Sequence, residues 1–150
     1  MTTHADPEGT LARWFAIDAD SCFGVFTGAY AAWPCSVFED YAAVSAADEF
    51  LDSAVPVTDG VLSAGYPAGV DPTFPLREAA CGLYSFNANL GFGGATIYFL
   101  EASPRRPLVV QEAPPVLRRA ANLVVLQGLR FADTVQLDLA AWVPTVKGSG

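Results

Sequence analysis

Two pairs of short, aromatic-rich runs constrain this chain more than any other feature. LARWFAID and CFGVFTG flank an Asp-containing turn, and LYSFNA and ATIYFLEA flank the glycine-rich NLGFGG. Apolar runs of strand length separated by turn formers read as two β-hairpins. In the first run Arg13, Phe15 and Ile17 share one face, and Trp14 and Ala16 share the other. Both faces are mostly apolar, so the hairpin is expected to be covered at least in part on both sides.

Between and after the hairpins the pattern changes period. From Ser36 to Ala54 the composition turns to Ala, Glu and Asp, which favours helix. Val37, Phe38 and Tyr41 form one apolar stripe, and Ala43, Ala47, Phe50, Leu51 and Ala54 form another. The two are about half a turn out of phase, so two short helices or a sharp bend near Ser45 are expected, with Ser45 capping the second helix. Pro114 and Pro115 precede VLRRAANLV and suit the start of a helix over 114–123. LRFAD reads as a short strand, VQLDLAAW as an irregular or helical close, and PLVV as a further strand. Residues 55–75 hold four Pro and three Gly. They read as an extended loop with one short strand near Val61, long enough to be a candidate for function. Tyr66 and Phe74 could simply pack it onto the surface.

The expectation is one α+β domain over residues 11–144, with a flexible lead at 1–10 and a loose tail at 145–150. Its sheet is mainly antiparallel and built of hairpins, and two or three short helices cover one face. The expected core includes Phe15, Ile17, Phe26, Leu51, Leu83, Phe86, Phe99, Leu117 and Phe131. With 52% apolar and 16% charged residues in 150, such a core needs neither metal nor disulfide.

Composition excludes several classes of function. Residues 1–75 hold eleven acids against one base, Arg13, a net of −10, whereas residues 76–150 carry +2. An acidic chain whose one lysine is Lys147 repels phosphate backbones, so no nucleic acid is expected as a partner. No apolar run is long enough to span a membrane, and MTTHADPEGT lacks the pattern of a secretory signal, so a cytoplasmic protein is expected. Cys22, Cys35 and Cys81 are odd in number and lack paired spacing, which suits buried reduced thiols.

Catalytic constellations are largely missing. The one histidine, His4, lies in the flexible lead, which removes the base of a nucleophilic triad and any structured His-ligated metal site. NLGFGGAT lacks the lysine of a phosphate loop and leads into a strand. Asp18 and Asp20 form a DxD that could hold a divalent cation, although an Asx turn is the simpler reading. Asp48, Glu49 and Asp52 share a helical face with the same two readings. No catalytic residue, metal or cofactor is therefore assigned. The arginines of PRRP at 104–107, with Arg118 and Arg119, could fork onto an anionic ligand but more simply pair with the chain's own acids.

The segments RWFAIDADSCFGVFTGAYAAWP, GLYSF, PRRPLVV, APPVLRRAANLV and LRFAD together resemble a diffuse set of small bacterial proteins. Some of these look like immunity proteins of toxin systems, small acidic α+β domains that neutralise a toxin by binding it. The resemblance spans about residues 13–142 and implies no catalytic residue. Together with the acidic N-terminal half it leads to a non-catalytic protein-binding domain that blocks a basic partner, such as a toxin domain, through an acidic face. The residues expected to carry that face are Asp18, Asp20, Glu39, Asp40, Asp48, Glu49 and Asp52. Two alternatives stand beside it. One is a small-molecule-binding or weakly enzymatic domain built on the 55–75 loop and the glycine-rich hairpin at 88–94. The other is a structural subunit.

Overall fold

The computed structural model describes residues 13–28, 31–88 and 96–147. The expected lead at 1–10 and most of the glycine-rich hairpin loop lie outside the described residues. The first hairpin is β1 (Arg13–Ile17) and β2 (Phe23–Thr27), paired antiparallel with Phe15 opposite Val25. A short strand, β3 (Ala32–Pro34), leads through a 3-10 turn at Cys35–Asp40 into α1 (Tyr41–Ser53). The 55–75 segment carries β4 (Gly60–Leu62) and the start of α2 (Thr73–Ala80). The second hairpin is β5 (Tyr84–Ala88) and β6 (Ile97–Pro104), with a register shift between Ser85 and Phe86. Then come α3 (Pro115–Ala121), β7 (Gln136–Asp138) and β8 (Thr145–Lys147).

The two hairpins join through a parallel pairing of β2 with β5, Val25 opposite Ser85 and Phe26 opposite Phe86. Parallel neighbours require a crossover, and here residues 28–83 supply it with α1 and α2. The sheet order is β1-β2-β5-β6-β4, with β7 also on β6. On β1 the outer edge is closed by Ile17, which bonds Val124 and Leu126. One face holds a continuous aromatic stack. Trp14 lies flat on Phe26, Phe26 on Phe86, and Tyr98 and Phe131 meet them edge-on. The buried indole of Trp14 donates to the Tyr98 hydroxyl, which donates to the Ala32 carbonyl. The helices cover the opposite face, α3 and α1 over β1, and α2 over β4, β5 and β6. The result is one α+β domain with a mostly antiparallel sheet. Among the described residues, no helix is long and apolar enough to cross a membrane.

Several local expectations are corrected. The bend falls at the step from 3-10 turn to α-helix, and the cap is Asp40, whose carboxylate accepts the Ala43 amide. Ser45 lies inside α1, because Ala43, Val44, Ala47 and Leu51 already form one buried stripe from the first turn onward. The loop read as running to residue 75 ends at Thr73, where Pro72 and Pro75 sit at the cap and in the first turn of α2. Prolines are tolerated there, since those amides have no helical partner. Gly82 ends this helix with φ +95, and a Cβ there would come within 2.7 Å of Leu108. LRFAD is a 3-10 turn at Phe131–Asp133, and PLVV makes one bridge, Cys22 to Val109, before a 3-10 turn at Val110–Glu112. Residues 145–147 are not loose, since β8 pairs with β3. Eight of the nine expected core residues are buried, whereas Phe99 is 39% exposed.

Candidate functional site

The seven acids read as a contact face differ in burial and in partners. Asp18 is 4% exposed, and its carboxylate accepts the backbone amides of Asp20, Cys22 and Phe131 at 2.8–2.9 Å. It is an Asx turn that ties the first hairpin to the C-terminal half, so it is withdrawn from the contact face. Asp20 pairs instead with Arg130 at 2.8 Å, so the two carboxylates of the DxD point to different partners. Asp40 caps α1 and pairs with Arg119 at 3.1 Å. Asp48 is turned inward to Arg13, with 13% of its side chain exposed, while Asp52 reaches the same guanidinium from an exposed position. Glu39 and Glu49 are exposed. Part of the excess negative charge of residues 1–75 is thus answered by Arg119 and Arg130 from the second half, and Asp59 with Arg105 extends the pattern.

A different region gathers polar groups into a concavity. Strand register places Arg13 opposite Thr27, Thr27 opposite Asn87, and Asn87 opposite Phe99. These four residues make a row across β1, β2, β5 and β6. The C-terminal half of α1, the start of α2 and the 63–71 segment wall in this row. Two adjoining cavities result, of about 540 and 650 Å³. The first is bounded by Arg13, Thr27, Phe74, Pro75 and Glu78, and the second by Ser63, Phe99, Leu100 and Val135. Tyr66, Asn87 and Glu101 line both and form the seam between them. Both volumes lie within the range of small-molecule sites.

At one end Arg13 is held by three carboxyl groups, Asp48, Asp52 and Glu78, and also donates to the Asp48 carbonyl at 2.9 Å. Burial works against its charge, but the attraction of Asp48 and the hydrogen bonds to Asp48 and Asp52 outweigh this and raise its pKa. Glu78 is 6% exposed, accepts the Ser85 hydroxyl at 2.7 Å and meets Arg13 at 3.2 Å. Burial pushes its carboxyl above the usual range, and Ser85 and Arg13 offset part of that rise. A carboxyl raised in this way keeps its proton in the folded protein after the unfolded chain has lost it. Stability is therefore expected to fall as pH climbs from the ordinary carboxylate value through the raised one. Urea unfolding at a series of pH values should show this slope, and Glu78→Gln should flatten it.

At the seam, Glu101 is also raised, first by burial and then by the nearby Glu78, with only the Asn87 amide opposing. Asn87 Nδ2 donates to Glu101 Oε1 at 3.4 Å, a long contact. Asn87 Oδ1 is buried and has no hydrogen-bond partner among the described residues. An acceptor left in this state is uncommon in folded proteins. Tyr66 donates to the Asp71 carbonyl at 2.9 Å, and Asp71 in turn accepts the Thr73 amide and hydroxyl at the head of α2. These bonds fix the wall of the cleft.

Of this cleft, sequence reasoning found the 55–75 segment with Tyr66 and Phe74, and it named Asp48 and Asp52 only as parts of an acidic face. Glu78, Asn87 and Glu101 were not singled out, since nothing in their local sequence marks them. Phe74, read as packing the loop down, is 71% exposed at the mouth. The chain matches no protein-family model, no curated protein and no solved structure.

Proposed function

We propose that this protein is a non-catalytic binding domain whose ligand is a small organic molecule held in the cleft under the 63–74 segment. The observation that carries the reading is the convergence of Arg13, Glu78, Asn87 and Glu101 on one concavity with the half-buried ring of Tyr66 and the exposed rings of Phe74 and Phe99 at its sides. Apolar walls with a few placed polar groups are the usual make-up of a small-molecule site. The free thiols Cys22, Cys35 and Cys81 go with action in the cytoplasm, where thiols stay reduced. The test is a titration of isotope-labelled protein with a fragment set spanning cations, anions and neutral rings, followed by amide shifts. Perturbations gathered on Tyr66, Asn87, Phe99 and Glu101 are the expected result. Shifts scattered over the surface, or confined to another face, would overturn it.

A second reading, the blocking of a basic protein of the toxin kind, is favoured by one observation. Glu39, in the 3-10 turn before α1, and Glu49, in the C-terminal half of α1, are both exposed, where they would steer a basic surface by long-range attraction. Asp18 and Asp48 are no longer part of that mechanism. Reversing Glu39 and Glu49 to Lys should leave folding intact and weaken binding to the product of a neighbouring gene, most strongly at low salt. Binding that ignores both the reversal and the salt would remove this reading.

A further inference from the structure

The lining of the first cavity carries five carboxyl groups, Asp48, Asp52, Asp71, Glu78 and Glu101, against one guanidinium. Arg13 is occupied by three of these and only 12% of its side chain is exposed, so it offers little to an anion. Asp71 is held by Thr73. Glu101 differs from the others: among the described residues no lysine or arginine forms an ion pair with it, and its side chain accepts one hydrogen bond, the long one from Asn87. Beside it lies the unsatisfied acceptor Asn87 Oδ1. Aromatic surface that water would disfavour, from Phe74 and Phe99, is left exposed on either side, with Tyr66 between the two cavities.

We infer that the ligand of this cleft is an organic cation, an amine or guanidinium carried on a flat apolar body, with Glu101 as its counter-ion. The inference rests on the binding reading above and names the chemical class of the ligand. The cationic N–H groups donate to Glu101. Once Glu101 is engaged, the Asn87 amide is released from it and can turn to present Oδ1 to the same cation. Tyr66 lines both cavities together with Glu101, and an aromatic face beside the charge is an added attraction for a cation. The apolar body lies along Phe74 in one cavity or Phe99 in the other. A cation at this point also relieves the penalty that burial and Glu78 place on an ionised Glu101.

Three probes with one ring system separate the possibilities: tryptamine, the anion indole-3-acetate and neutral 3-methylindole. Titrated into the unaltered protein, tryptamine is expected to shift Tyr66, Asn87 and Glu101 and to bind about 10- to 100-fold more tightly than the other two, as befits one partly buried charge-assisted contact. Glu101→Gln should remove that advantage while leaving binding of 3-methylindole unchanged and the unfolding midpoint no lower. If the three bind the cleft equally, or if Glu101→Gln leaves tryptamine affinity intact, the cation assignment fails while the cleft reading survives. If none of the three perturbs the cleft, both fail together.

Discussion

Replacing Arg13 with Met is expected to lower folding stability by about 3–5 kcal/mol at neutral pH, the range seen when one partner of a buried ion pair is removed. Arg13 is the one base in the first 75 residues, and the fold surrounds it with three acids from two helices. Asp52 is 70% exposed on its side chain, so its share is small. Asp48 and Glu78 are 13% and 8% exposed, and without the guanidinium each would be an uncompensated buried carboxylate. Methionine fills the space of the stem but supplies no donor. The expected signature is therefore pH dependence. As pH falls, the stranded Glu78 carboxyl, already raised by burial, takes up its proton and the deficit shrinks. Adding Glu78→Gln to Arg13→Met should recover part of the loss, since a neutral amide can still meet the Ser85 hydroxyl. Urea titrations followed by tryptophan fluorescence measure all three variants. A loss below about 1 kcal/mol would mean that the cluster behaves as a surface ion pair.

That cluster also shows where a sequence stops being informative. The charge count for residues 1–75 was correct, but it cannot say which acids meet a base inside the fold. Arg13 finds Asp48 and Glu78 at separations of 35 and 65 positions, Arg119 finds Asp40 at 79, and Arg130 finds Asp20 at 110. Features with local causes were legible. The hairpins follow from aromatic runs around turn formers, and α3 from a proline at its first position. The parallel β2–β5 pairing has no local signal, because it depends on a crossover of more than 50 residues. Helix α2 was hidden by prolines that mark a loop when counted and a helix start when placed. Phe99 illustrates register. Tyr98 and Phe99 are adjacent, one must face the core, and a slip of one residue in the hairpin would exchange them. The structure buries Tyr98 and leaves Phe99 to the cleft. The floor of the candidate site is likewise a product of register, since its row of Arg13, Thr27, Asn87 and Phe99 draws one residue from each of four strands.

Asp18→Ala is expected to destabilise the protein by about 3 kcal/mol, because a buried donor left without a partner costs about 1–3 kcal/mol and two are left here. Asp18 Oδ1 accepts the Asp20 and Cys22 amides, and Oδ2 accepts the Phe131 amide across 113 positions. The Cys22 and Phe131 bonds are buried, so no solvent replaces them. Asp18→Asn should cost roughly half as much. Its amide oxygen can still serve one side of the turn, but its NH2 group cannot accept from the other. A carboxylate that only contacted a partner would behave otherwise, since an exposed Asp→Ala change usually moves stability by no more than about 0.5 kcal/mol. The readout extends to the aromatic stack. The Phe131 side chain packs on Phe26, Phe86 and Tyr84, and the Asp18 bond to its amide holds it over the sheet. Loosening that bond should therefore change the near-ultraviolet circular dichroism of the folded protein as well as its urea midpoint. A variant with unchanged midpoint and spectrum would return Asp18 to the surface and reopen its role as a contact residue.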